Sequence, residues 1–233
     1  MNGNVAIKPV DFKLGEYINK GWEFYKNNFG KLILPMFFVF LLSIIPFCGL
    51  MATGNFAKFC KRLDEGKNPE ASEIFDFSDF SKYFIITLIL LGVFLVLYIP
   101  FLILYISFMS NSGGNPSPTI GIVMGIYYLF FFVVMFLISI RMFYITPLIA
   151  FKGMSDVKEL FKASSEMAKG NYLQIFLFSI VAGFMGMIGM IGCYIGVFLT
   201  LPLTYTCYYF AYKDALQQIN KDEINEIGTQ QNF

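Results

Sequence analysis

Residues 172–212 read YLQIFLFSIVAGFMGMIGMIGCYIGVFLTLPLTYTCYYFAY, 41 positions without a charge. At 1.5 Å rise per residue a single helix of that length would measure roughly 60 Å, twice the ~30 Å hydrocarbon thickness of a bilayer. The stretch therefore reads as two helices with a reversal between them. Glycines recur at 183, 186, 189, 192 and 196. Residues three apart on a helix step back by about 60°, so the first four wrap half the helix and form no single stripe. Only Gly192 and Gly196 keep the spacing that lets two membrane helices touch. Each glycine costs a helix interior about 1 kcal/mol, which makes this the weakest part of the run. GMIGCYIG (189–196) is thus expected to be the tip of a membrane hairpin, with Gly189, Gly192 and Gly196 serving the turn and the close packing of its arms.

Three more long runs with few or no charges follow from the same scan: 32–57, 83–109 and 119–140. Hydrophobic residues make up 57% of the 233-residue chain and charged residues 14%, against roughly 45–50% and 25% in soluble domains. A soluble core of this length has no place for so much apolar surface. The run 32–57 spans about 39 Å as a helix and fits either one tilted span or a short hairpin. Pro35 and Pro46 interrupt it, and Pro46 with Gly49 in PFCG reads as a turn, which favours the hairpin. The expected fold is all-α: a polytopic membrane bundle of about six membrane helical segments in three hairpins, plus two interfacial amphipathic helices. The divisions are an interfacial helix in 1–30, a membrane domain over 31–213 and a polar tail over 214–233 that frays. Within the domain lie a hairpin 31–63, the pair 81–109 and 119–151, an interfacial helix 155–170 and a hairpin 171–213.

Lysine and arginine collect in 1–31, 58–82, 152–170 and the tail, whereas NSGGNPSPT (111–119) has none. Basic loops stay on the cytoplasmic side, so 111–119 is expected outside and both termini inside. The first 31 residues hold five lysines and three acids and no apolar core, unlike a secretory signal. A net charge of +1 offers no field for nucleic acid. The chain has no histidine, the commonest metal ligand and general base. Cys48, Cys60, Cys193 and Cys207 have no metal or redox spacing and read as small hydrophobes. The acids between Asp64 and Asp79 lack the register of a calcium loop and read as a solvated face. No cofactor and no metal are expected.

Leu14, Ile18, Trp22 (or Gly21), Tyr25 and Phe29 recur at three and four, one apolar stripe opposite charges. Such a helix is expected to lie in the headgroup plane, anchored by Trp22 and Tyr25. Residues 156–170 repeat the pattern, with Asp156 and Glu159 as a helix start of capping-box type. WEFYKNNFGKLIL (22–34) and SEMAKGNYLQIFL (165–177) also align without gaps: Glu23 on Glu166, Lys26 on Lys169, Asn28 on Asn171 and Phe29 on Tyr172. Chance produces such echoes at membrane surfaces, where lysine, asparagine and aromatics are common. The echo is nonetheless read as a duplicated unit of amphipathic helix plus hairpin, with chance as the alternative.

Arg141 follows 22 uncharged residues and lies about 16 Å of helix before Lys152. Arginine at such depth is costly and marks a candidate site for lipid or anionic-ligand contact. Tyr144, Thr146 and Ser139 offer hydroxyls, and Pro147 frees backbone carbonyls near it. The structural alternative is an arginine that snorkels to the interface or staples two helices.

RMFYITPLIAFKG (141–153) and ELFKASSEMAKGNYLQIFLF (159–178) together resemble uncharacterised bacterial membrane families related to the glycerophosphoryl diester phosphodiesterase membrane domain. Their pattern falls on Arg141, Pro147, Ser164, Lys169, Gly170 and Asn171, and GWEFYKNNFG (21–30) and LPLTYTCYYFAYKD (201–214) are loosely similar at the two ends. The resemblance implies a multi-helix membrane module of the bacterial cytoplasmic membrane, with no catalytic residue carried over. Some similar chains bear a carotene oxygenase label, a chemistry that needs histidine-bound iron. Ser164, Lys169 and Asn171 join Arg141, Tyr144 and Thr146 as expected ligand contacts.

The expected function is a non-enzymatic accessory or scaffold subunit that binds membrane lipids and partner membrane proteins or self-associates. A small-solute or lipid transporter or channel built on broken helices around Arg141 is the second reading. The lack of an acid within any span to couple a proton or sodium ion weighs against it. A lipid-modifying enzyme would need a nucleophile and base, and the sequence suggests no such pair.

Overall fold

The computed structural model describes residues 8–111, 118–192 and 195–230, with side chains over 8–110, 118–190 and 196–221. In chain order these form α1 (Leu14–Ile44), α2 (Gly49–Asp64), a 3-10 turn (Ala71–Phe75), α3 (Phe80–Asn111), α4 (Pro118–Arg141), α5 (Ile145–Lys152), α6 (Val157–Ala168), α7 (Tyr172–Met187), a second 3-10 turn (Ile188–Gly192) and α8 (Ile195–Gln230). Among the described residues there is no strand. Four helices are long and apolar enough to cross a membrane: Leu14–Ile44, Phe80–Ser110, Pro118–Lys152 (α4 with α5) and Tyr172–Met190. α2 and α8, the other two arms suggested by the sequence, are not among the four. With 16 residues α2 is about 24 Å long, short of the hydrocarbon thickness.

α1 joins two helical segments at a kink close to the boundary expected between the amphipathic helix and the first apolar run. It runs from Leu14 to Ile44 with one break, at Asn28 (φ −123°, ψ 15°), whose amide donates to the Phe24 carbonyl at 3.0 Å. Its buried stripe is Tyr17, Gly21, Phe24 and Tyr25, rotated from the expected one so that it meets α8. At the crossing a Cβ on Gly21 would lie 2.7 Å from the Cys207 Cα, so only glycine admits α8 there. Thr206 Oγ1 donates to the Gly21 carbonyl at 3.0 Å and Tyr25 OH to the Leu199 carbonyl at 2.6 Å. The two expected anchors stack on one another at 5.9 Å but differ in exposure. Trp22 is 43% exposed, with the Lys26 ammonium 5.5 Å from its ring, whereas Tyr25 is buried.

Between α1 and α2 the chain reverses over Ile45–Cys48, with Pro46 inside the turn and Gly49 opening α2. The left-handed residue there is Phe47 (φ 69°), not a glycine, and its ring packs on Phe84 of α3 at 5.1 Å. α7 and α8 lie side by side, joined by threonines: Thr200 Oγ1 donates to the Gly186 carbonyl and Thr204 Oγ1 to the Ala182 carbonyl, the latter at 2.7 Å. Helix α7 gives way to the 3-10 turn at Ile188, and the backbones of Gly189 and Gly196 touch. Cys193 and Tyr194, at the expected tip, lie outside the described residues, as does 112–117.

The core gathers where α1, α2, α5, α6, α7 and α8 meet, with Tyr17, Tyr83, Tyr144, Tyr209, Phe56, Phe59 and Phe178 among its largest fully buried side chains. Phe12 stands edge-on to Tyr17, Phe143 and Phe178 at 5.0, 5.9 and 5.5 Å. Such edge-to-face contacts add to simple area burial. α3 and α4 pack mainly on one another and leave most of their apolar surface open, with 6% and 0% of their span windows buried. Tyr127 OH of α4 donates to the Leu97 carbonyl at 2.7 Å, in the turn before Pro100 of α3. The 214–233 segment is not a frayed tail throughout: α8 carries on to Gln230, with Ala215 and Ile219 buried.

Candidate functional site

Ser164, fully buried on α6, spans the break between α4 and α5. Its hydroxyl donates to the Arg141 carbonyl at 2.6 Å and accepts the Tyr144 N–H at 3.1 Å. Both backbone groups lose their helical partners where α4 ends at Arg141 and three turn residues precede α5. Pro147 lies in the first turn of α5, where a missing N–H costs nothing. The Arg141 guanidinium is exposed and, among the described residues, makes no hydrogen bond or ion pair. Tyr144 is fully buried with no partner for its hydroxyl.

The other expected contacts lie elsewhere. Asn171, which opens α7, donates its amide to the Val10 carbonyl, while Val10 N–H bonds the Met167 carbonyl at 3.1 Å. Gln218 of α8 accepts the Asp11 N–H at 2.8 Å and donates to the Asp11 carbonyl at 3.0 Å. Residues 9–13 thus form a strap pinned to the α6–α7 turn and to α8. Lys169 is exposed and pairs with Glu166 at 3.4 Å. The six expected contacts accordingly fall into three places: Arg141, Tyr144 and Ser164 at the α4–α5 break, Lys169 and Asn171 at the start of α7, and Thr146 on a cavity.

That cavity, 480 Å³ in volume, lies between α2, α5, α7 and α8. Its walls are apolar, with Phe56, Met187, Met190 and Leu201, and they carry the hydroxyl-bearing Thr53, Thr146, Thr204, Tyr205, Tyr208 and Tyr212. Gly183 borders it, and a Cβ there would meet nothing within 4 Å. Sequence reasoning passed over this set. The available signal was TYTCYY (204–209), hydroxyls concentrated inside an uncharged run.

Beyond the cavity the same helices carry charge. Asp64 of α2 accepts Tyr209 OH at 2.7 Å and pairs with Lys213, both on α8. Several acids of the 64–79 segment, expected as a solvated face, are matched to cations: Asp79 to Lys58 at 2.7 Å and Lys82 at 2.6 Å, and Glu73 to Arg62 at 2.7 Å. Burial alone would raise the Asp79 carboxyl, but the bonds from Lys58 and Lys82 outweigh it and hold the group below the usual carboxylate range. Asn55 of α2 fastens the loop through its amide to the Ile74 and Asp76 carbonyls at 3.0 and 2.7 Å. Cys48, Cys60 and Cys207 are buried free thiols.

Fold and site together define an all-helical protein with four helices suited to spanning a bilayer and an apolar cavity between α2, α5, α7 and α8. The chain belongs to the family described as Domain of unknown function (DUF7847), whose profile matches residues 72–220. No curated protein and no solved structure matches it. Nothing in these findings links the chain to the glycerophosphoryl diester phosphodiesterase membrane domain. The match begins beyond α2, although α1 and α2 complete the same core.

Proposed function

We propose that the protein is a non-enzymatic membrane module that holds the apolar part of a lipid between α2, α5, α7 and α8. The 480 Å³ cavity carries this reading. It is of ligand-pocket size, walled by adaptable methionine and aromatic side chains, with a few hydroxyls to orient a guest. The nearby hydroxyls of Ser164, Thr200 and Thr204 donate to backbone carbonyls, an arrangement that joins helices rather than pairing a nucleophile with a base. In this reading α2 and the apolar half of α8 act as short return arms, giving about six membrane segments in three hairpins. The basic loops face the cytoplasm of a bacterium. The open faces of α3 and α4 meet lipid or partner membrane proteins.

The test uses Gly183→Phe, which places a ring in the cavity from a position with free space around it. Purified in mild detergent, the parent protein should retain lipid that mass spectrometry counts. The variant should lose most of it while melting no lower than the parent. Equal lipid in both proteins, or none in the parent, refutes the reading.

A carrier is the second reading, favoured by one observation. Asn28, at the kink of α1, and Asn171, the residue that caps the start of α7, are aligned in the sequence echo and share nearly the same backbone angles, φ −123°, ψ 15° and φ −116°, ψ 14°. Internal repeats and discontinuous helices are transporter traits. Solute flux into liposomes containing the pure protein would favour it.

A further inference from the structure

The apolar cavity has a charged neighbour built on three of its four helices, α2, α5 and α8. On α2, Thr53 and Ala57 line the cavity and Lys61, the next residue along that face, lines a groove. On α5 the sequence runs from Thr146 in the cavity to Phe151 and Lys152 in the groove. On α8 it runs from Tyr208 and Tyr212 to Lys213 and Leu216. The groove consists of two adjoining hollows of 380 and 340 Å³ that share Lys61, Glu65 and Phe151.

Its charge is one-sided. Lys58, Lys61, Arg62, Lys67, Lys152 and Lys213 line it, against Asp64 and Glu65. Several of these cations are already directed: Lys58 to Asp79 at 2.7 Å, Arg62 to Glu73 at 2.7 Å, Lys67 to Glu65 at 2.7 Å, and Lys213 to Asp64. Lys61 is different. Its ammonium stands 5.3 Å from the centre of the Phe151 ring and, among the described residues, joins no ion pair. The aromatic face steadies the cation without neutralising it. Lysine binds phosphate as a point charge, and the apolar walls given by Phe151 and Leu216 suit the glycerol side of a phospholipid better than a free ion.

We infer that this groove seats the phosphate of an anionic lipid headgroup, with Lys61 as the principal contact and Lys152 and Lys213 beside it. The inference rests on the lipid-holding reading above and adds the headgroup class. Asp64 competes with the phosphate for Lys213, so its removal should strengthen binding.

Native mass spectrometry of the whole protein in neutral detergent, with equal amounts of phosphatidylglycerol and phosphatidylcholine added, tests it. Phosphatidylglycerol should be retained preferentially, by about fivefold for each lysine engaged. The exposed pair change Lys61→Gln/Lys152→Gln should cut the preference by about 25-fold and leave phosphatidylcholine retention unchanged. Lys61→Arg should keep the preference, and Asp64→Asn should increase it. Equal retention of the two lipids, or a preference that the double change leaves undiminished, overturns the headgroup assignment while leaving the cavity reading intact. Retention of neither lipid refutes both. Inorganic phosphate bound in a Lys61-dependent way without any preference for phosphatidylglycerol overturns the lipid source, because the groove would then serve a free anion.

Discussion

Ser164 does with one hydroxyl what the helix backbone cannot do where α4 gives way to α5, supplying an acceptor to Tyr144 N–H and a donor to the Arg141 carbonyl. Ser164→Ala leaves both groups in a dry interior, and the cost of such orphaned groups is about 1–3 kcal/mol. A matching fall in the melting temperature in detergent, with the helical circular-dichroism signal unchanged at low temperature, is the expected result. Asp79 makes a pH-dependent prediction. Its carboxyl is held low in the folded protein, so its contribution is full above the unfolded value of about 4 and is lost as pH falls through the folded value. The stability difference between the parent and Asp79→Asn should therefore be constant from pH 7 down to about 5 and close below about 4. Sequence drew attention to Ser164 and Arg141 as neighbours of a ligand. What it did not convey was that the serine serves backbone, because the position of a helix break is set by packing as well as by Pro147.

Among the elements, α1 illustrates both the reach and the limit of periodicity. Apolar spacing of three and four marked it as amphipathic but set the stripe over Trp22 and Phe29, which are exposed, and a lipid surface or a partner helix satisfies an amphipathic face equally well. The glycine decided between them: Gly21 lets the α8 backbone approach, with the Cys207 Cα 2.7 Å from where a Cβ would stand. Gly21→Leu should separate the helices and lower the melting temperature sharply, whereas Gly15→Leu, where a Cβ would meet nothing within 4 Å, should change it little. The same ambiguity hid the role of α6, whose Leu160, Ala163, Ser164 and Met167 are buried in protein. Its start was legible, since Asp156 accepts the Glu159 N–H at 2.8 Å. So was the echo of Asn28 and Asn171, for asparagine tolerates the bridge conformation that both adopt. The turn after α1 was legible from Pro46, but not that Phe47 would take the left-handed position that glycine usually fills.

At the scale of the whole molecule, apolar run length located three of the four helices suited to spanning a bilayer and overlapped the fourth, Leu14–Ile44, only over 32–44. It could not find the cavity or the groove, because both draw on α2, α5 and α8, with α7 joining them at the cavity, and these helices are far apart in sequence and individually ordinary. The charge pattern had the same limit: the lysines of 58–82, 152–170 and the tail read as topology signals, and their convergence appears only once α2, α5 and α8 are packed. The most extensive helix pairing joins α1 to α8, and the Thr206–Gly21 bond within it closes a sequence separation of 185 residues. A ribosome adding 5–20 residues per second needs on the order of 10–40 s to cover that distance. For that interval the newborn first helix presents Tyr17, Gly21 and Phe24 with no α8 to receive them. A stop codon or a stalled ribosome before residue 195 would leave this face bare for good, so premature termination should yield a product that quality-control proteases recognise through its first helix.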